Sequence, residues 1–151
     1  MKKFRFPLRS VATLRSLREL KAREQFSEAV HAFVTAEEFL QMVRERVAAL
    51  ENVLRSGRAQ TFRAGDEASF LEAYRVETSA AARAAAEVEK ARAAMETARQ
   101  AWLGTRRDVK VVENLETKAK AAHRREVDRE DQAALDDRTS AIAARAAAQD
   151  L

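Results

Sequence analysis

Only four positions in the chain resist continuation of a helix strongly: Pro7, Gly57, Gly65 and Gly104. Inside a helix, Gly costs about 1 kcal/mol and Pro about 3 kcal/mol relative to Ala. Pro7 is harmless at a helix start, where its missing N–H has no bond to lose. Gly104 stands alone in a run with no other breaker. Gly57 and Gly65 fall close together in "SGRAQTFRAGD", and this stretch predicts the one loop, over about 57–66. The rest is dominated by Ala, Glu, Arg, Lys and Leu, a composition of long helices rather than sheets. The prediction is an all-α chain with a helix over about 8–56 and a second over about 67–149. Asp66 would cap the second helix, with Glu67 beside its positive end. Helices of roughly 70 and 120 Å, at 1.5 Å per residue, exceed any compact globule. They therefore imply one elongated coiled-coil domain over residues 1–151.

Apolar spacing says how such helices are covered. Phe70, Tyr74, Glu77, Ala81, Ala84, Val88, Ala91, Met95, Ala98, Trp102, Thr105, Val109 and Val112 follow alternating steps of four and three. That is the seam of a left-handed coiled coil. Ala36, Leu40, Val43, Val47, Leu50 and Leu54 keep the same rhythm in the first helix. Leu14, Leu17, Leu20, Phe26, Val30 and Phe33 continue it towards the N-terminus with a slip in phase. Large residues of the first helix then face an Ala-rich seam in the second, giving a long antiparallel two-helix coiled coil, a helical hairpin. With the turn centred near residue 61, Trp102 falls beside Leu17 and Leu20. Beyond about Leu115 no partner remains, which leaves a C-terminal single-helix overhang containing "RREVDREDQAALDD" at 124–137. Pairs such as Glu116–Lys120 and Glu126–Arg129 each support it by only a few tenths of a kcal/mol. A lone helix of that kind is marginal in water and orders best inside a partner.

Several function classes drop out. There is no Cys, so disulfides and thiolate metal sites are excluded. No apolar run approaches the roughly 20 residues that span a bilayer. The basic start "MKKFRFPLRSVATL" is interrupted by Arg5, Pro7, Arg9 and Arg15, unlike a signal peptide, and an intracellular protein is expected. His31 and His123 lie on different helices at levels that do not correspond. His123, Glu126 and Glu130 share a helix face with metal-site spacing, which a charge-dense helix also produces by composition alone. No Gly-rich phosphate loop is present. The chain is expected to be no enzyme and to hold no cofactor and no metal. Residues 1–25 carry eight basic side chains against Glu19 and Glu24, a net of +6, so one end is strongly basic. With only Phe4 and Phe6 nearby, that end lacks the readers of a nucleic-acid binder. A solvated basic face, or one that meets an acidic protein, is the better match.

Three stretches resemble the FliJ family, the small coiled-coil component of the bacterial flagellar type III export apparatus. They are "KFRFPLRSVATLRSLRELKA", "FLEAYR" after the turn, and "AWLGTRRDVKVVENLETKAKAAHRREVDREDQAALDD". The resemblance implies a stalk that inserts into the hexameric ring of a FliI-like export ATPase and promotes its assembly and activity. It also implies a link to a FlhA-like export gate protein and a role as export chaperone or escort, with substrate chaperones as further partners. Carried over, the ring-facing residues would be Arg5, Arg9, Arg15, Arg18, Arg106, Arg107, Lys110, Arg124 and Arg125. The gate-facing residues would be Phe70 and Tyr74, followed by Glu77 and Ala81 where the family tends to have larger apolar residues. The implied location is the cytoplasm, peripheral to the membrane at the flagellar basal body, with no nucleic acid bound and no membrane insertion. An unrelated structural coiled coil or a virulence-type secretion stalk would share this architecture, and a basic nucleic-acid-binding hairpin is a further alternative.

The hairpin should give a circular dichroism spectrum dominated by α-helix and should sediment as a highly elongated particle. A substantial β signal, or a compact particle, would contradict it.

Overall fold

A computed structural model of the chain describes residues 3–60 and 62–149. It contains two helices, α1 (Arg9–Ala59) and α2 (Ala64–Gln149), and no strand among the described residues. Pro7 lies in the turn just ahead of α1, where the Arg9 N–H donates to the Phe6 carbonyl and the Ala12 N–H to the Leu8 carbonyl. The fixed φ of proline suits that approach. The connection between the helices is shorter than the glycines suggest, only residues 60–63, and its expected centre, Thr61, lies outside the described residues. Gly57 and Gly65 are both helical, with no positive φ. Asp66 is not the cap of α2, because the Arg63 carbonyl already accepts from the N–H groups of Asp66 and Glu67. Asp66 and Glu67 sit inside the first turn, where negative charge still favours the helix dipole.

Gly57 has another use. Phe62 folds back on α1 so that its ring fills the space a Cβ at Gly57 would need. The same ring meets Phe70 edge to face at 5.7 Å, and Arg58 reaches across the turn to Glu67 at 3.1 Å. The glycine makes a notch in a helix, which a search for loop residues reads as a break.

By packing, the chain divides into two compact units. One is Glu19–Thr105, which contains the turn. The other joins the residues up to Arg18 with those from Arg106 onward. In the turn-containing unit α1 and α2 form the expected antiparallel coiled coil. Each seam residue expected in α2 from Phe70 to Thr105 is buried or half-buried, as are Ala36, Leu40, Val43, Val47, Leu50 and Leu54 of α1. Leu40 packs with Ala84 and Val88, flanked by Phe33, Ala36 and Ala85, and Val43 is fully buried. Large side chains of α1 thus fill the space left by alanines of α2.

The phase slip expected in α1 does not occur. Ala22, Phe26, Ala29 and Phe33 carry the seam onward in the same steps, while Leu14, Leu17 and Leu20 are exposed. Trp102 accordingly does not pack against Leu17 and Leu20, which are 59 % and 40 % exposed. Its indole stacks on Phe26, with centroids 5.5 Å apart and planes 14° from parallel. Its Nε1 donates to Glu19 Oε1 at 2.8 Å. The widest side chain of the seam needs a small residue facing it, and Ala22, midway between Glu19 and Phe26, leaves that room where a leucine would not.

In the second unit Arg15 donates from its guanidinium to the Asp108 carbonyl at 3.0 Å, and Val112 is buried. Coverage of α2 does not stop near Leu115. Glu116, Ala119, His123 and Val127 are still half-buried, and Phe4 meets the His123 ring edge to face at 5.5 Å. Residues 3–6 precede α1 and are not helical. The lead, through Phe4, thus carries the cover of α2 past the point where α1 begins. From Asp128 to Ala148 every residue is exposed.

Trp102→Ala should destabilise the protein by about 3 kcal/mol in urea unfolding, at the low end of aromatic truncations because the site is half-buried. Leu17→Ala should stay within about 0.5 kcal/mol, as for other exposed positions. The opposite ranking would mean that the leucines, and not Ala22 and Phe26, carry the seam.

Candidate functional site

All nine cations expected to face a ring belong to one unit: Arg5, Arg9, Arg15, Arg18, Arg106, Arg107, Lys110, Arg124 and Arg125. Eight are exposed; Arg15 is half-buried and bound to the Asp108 carbonyl, which makes it a brace between the helices. Lys110 leans on Glu113 at 3.7 Å. Two shallow recesses open among these groups. One, of about 510 Å³, is lined by Phe4, Arg5, Phe6, Arg9, Ala12 and Glu116. The other, of about 680 Å³, is lined by Phe4, Lys120, Ala121, His123, Arg124, Arg125 and Asp128. Phe4 is the wall they share. Its seat on His123 orders the non-helical lead, so an aromatic ring lies beside the Arg124–Arg125 pair. Reading the sequence for nucleic-acid readers gave Phe4 and Phe6 no role. The usable signal was their place before Pro7, in a lead that cannot continue the helix.

Phe70 and Tyr74, the expected gate contacts, lie in the turn-containing unit. Both are seam residues and half-buried. Phe70 rests on Phe62, and the Tyr74 hydroxyl donates to Glu51 Oε1 at 3.1 Å. Much of their surface is thus engaged within the hairpin. The open apolar surface of this region is a neighbouring groove of about 530 Å³, lined by Ala49, Leu50, Ala73 and Val76 and bordered by Arg46, Glu72 and Glu77. Val76 is 54 % exposed. Glu77, a charge on the seam, is held by Arg46 at 3.5 Å, but its Oε2 has no well-formed hydrogen bond, so the contact is one of charge alone. A search restricted to the seam passes over Val76. Its spacing from Ala73 and Ala80, which repeats the seam rhythm one face away, was the available signal.

The arrangement suits recognition. Among the described residues no group of three His, Cys, Asp or Glu side chains could hold a metal ion, so His123, Glu126 and Glu130 do not converge on one. No described helix is long and apolar enough to cross a membrane. The Glu96 carboxyl is held below its ordinary value, first by the hydrogen bond from Gln100 and then by the charge of Arg99, on the open surface of α2. That is a local helix-face network.

A family model described as "Flagellar FliJ protein" matches residues 4–148. No curated protein and no solved structure matches the chain.

Phe4→Ala should shift the side-chain NMR resonances of His123, whose ring now lies against an aromatic edge. Half-burial of a Phe suggests a cost of only about 1 kcal/mol. Unshifted His123 signals would show that Phe4 is not seated there.

Proposed function

The chain belongs to the FliJ family of flagellar export coiled-coil proteins, and we propose from that premise that it is the non-enzymatic stalk of an export ATPase complex. The unit holding the nine cations would enter the central opening of a hexameric, FliI-like ring and promote its assembly and activity. The observation that carries this reading is the helix from Asp128 to Ala148, exposed on every side and continuous with the end of α2 where the cations gather. A single helix without cover is marginal in water, and a surrounding partner would supply the missing contacts.

Charge refines the reading. Residues 106–138 hold nine basic and nine acidic groups, so plain attraction does not explain them. The basic groups gather towards the start of the segment and the acids towards its end, and a ring would meet a basic collar followed by an acidic tip. At the turn-containing unit, the groove of Ala49, Leu50, Ala73 and Val76 would join Tyr74 and Phe70 in contacting a FlhA-like gate protein. Escort of export substrates or their chaperones would follow from the same exposed faces. The working location is the cytoplasmic side of the flagellar base.

Exposed ion pairs contribute ~0–1 kcal/mol each, so a cluster should matter where a single charge does not. Arg124→Glu combined with Arg125→Glu should strongly weaken binding to the ATPase ring and stimulation of its activity, with helicity and melting of the hairpin nearly unchanged. Undiminished stimulation by the double variant would remove the collar from the mechanism.

A further inference from the structure

In the unit that joins the residues up to Arg18 with those from Arg106 onward, one flank of the seam is apolar. Val11 immediately precedes the seam position Ala12, as Leu115 precedes Glu116, and residues in that place share one side of an antiparallel pair. Leu14 and Val111, three and four residues from them, are their neighbours on that side. The bond from Arg15 to the Asp108 carbonyl sets the level, so that Val11 and Leu14 come beside Val111 and about a turn from Leu115. Val11, Leu14, Val111 and Leu115 are 37 %, 48 %, 51 % and 43 % exposed.

Apolar side chains scattered singly over a surface are ordinary, whereas a contiguous cluster marks a contact. The pattern of this cluster is specific. A helix with one neighbour needs apolar residues only along its seam, and a helix packed into a larger core adds the position beside the seam. Here both helices add it, at one level and on the same side, so the groove between them is shaped for a third helix.

The rim indicates the character of that helix. Arg18 lies one turn beyond Leu14, Arg107 one turn before Val111, and Lys118 one turn after Leu115, and all three are exposed. Two of the acids in this stretch of α2, Glu113 and Glu116, are taken by Lys110 and Lys120. Asp108 is the one acid beside the patch, and Arg18, Arg107 and Lys118 pair with no carboxylate among the described residues.

We infer that this patch is a docking site for an acidic amphipathic helix of a partner protein. Its apolar stripe lies on Val11, Leu14, Val111 and Leu115, and its carboxylates reach Arg18, Arg107 and Lys118. From Arg107 to Lys118 α2 rises about 17 Å, so a partner helix of about three turns spans the site. The chain cannot supply that helix itself, because its own acidic stretch at 126–137 belongs to α2, which is unbroken to Gln149. The inference stands apart from the stalk reading, and its test leaves Arg124 and Arg125 unaltered.

Fluorescence anisotropy with the full chain and three labelled helical peptides tests it. The first peptide carries leucine along one face and glutamate on both flanks. In the second lysine replaces glutamate, and in the third the leucines and glutamates are shuffled so that no apolar face remains. The first should bind about tenfold more tightly than either of the others. Leu14→Asp with Val111→Asp should abolish that preference, whereas Ile142→Asp, an exposed apolar position away from the patch, should leave it unchanged. Arg18→Glu, Arg107→Glu and Lys118→Glu combined should transfer the preference to the lysine peptide. Circular dichroism shows whether each variant keeps its helicity; if the aspartate pair loses it, the charge-reversed variant, altered only at exposed cations, decides. Failure of the first peptide to bind, equal binding of the shuffled peptide, or undiminished binding by the aspartate pair would each overturn the inference. So would dimerisation of the chain through Leu14 and Val111, which would give the patch to a second copy.

Discussion

Everything in this protein depends on a single line of contact between two helices. A pair of helices has no second layer, so a residue is either on the seam or largely in water. The side chains buried most deeply are Ala22, Leu40, Val43, Leu54, Ala84, Val88 and Val112, and all are small or branched aliphatics on that line. Spacing in steps of four and three is what keeps the seam of one helix on that of the other within each unit, because it matches the period of a left-handed supercoil. Close approach follows from alanine in α2 facing leucine and valine in α1. The stability of such an arrangement is spread thinly over its length, and a change at one layer is felt mainly by adjacent layers.

That economy explains which parts could be read in advance. In α2 the spacing identified Phe70 to Val112 as the seam, since no other apolar register there runs the same length, and each of those residues is at least half-buried. In the first turns of α1 two registers compete. Hydrophobicity favours Leu14, Leu17 and Leu20, while geometry favours Ala12, Arg15, Glu19 and Ala22, which continue the phase set further along. Geometry won, because a helix bound along its whole length cannot change phase cheaply, and because Trp102 needs a small residue at its level. The extent of the cover over α2 was misjudged for another reason. The count ended where the first helix begins, whereas the non-helical lead through Phe4 still packs on α2 at His123.

The candidate contact residues came with the family resemblance, and the structure adds their surroundings. The nine cations were carried over from the family resemblance as an expectation, and they fall within one unit. Their surroundings were not foreseen: Arg15 is taken up by the Asp108 carbonyl, and Phe4 places an aromatic ring among Lys120, Arg124 and Arg125. Phe70 and Tyr74 illustrate the converse. An aromatic pair beside a turn suits packing and docking alike; both residues are half-buried in the seam, and further apolar surface lies open on the flank at Val76. In an ordinary globule a residue that fails to face the core is often indifferent. Here the outward faces are most of the molecule, and apolar side chains left on them are the more informative ones.

The notch at Gly57 sets the origin of the ladder. An alanine-rich seam offers little resistance to sliding by a whole heptad, since each alanine meets a similar partner after the shift. The Phe62 ring fits into only one place on α1, where a side chain is missing, and at the far end of the same unit the Glu19–Trp102 bond fixes a second graduation. Between those marks the two helices can breathe but cannot ratchet past one another. A push or twist applied to one strand of the hairpin is therefore passed to the other without slippage, and the turn behaves as a clutch that is permanently engaged.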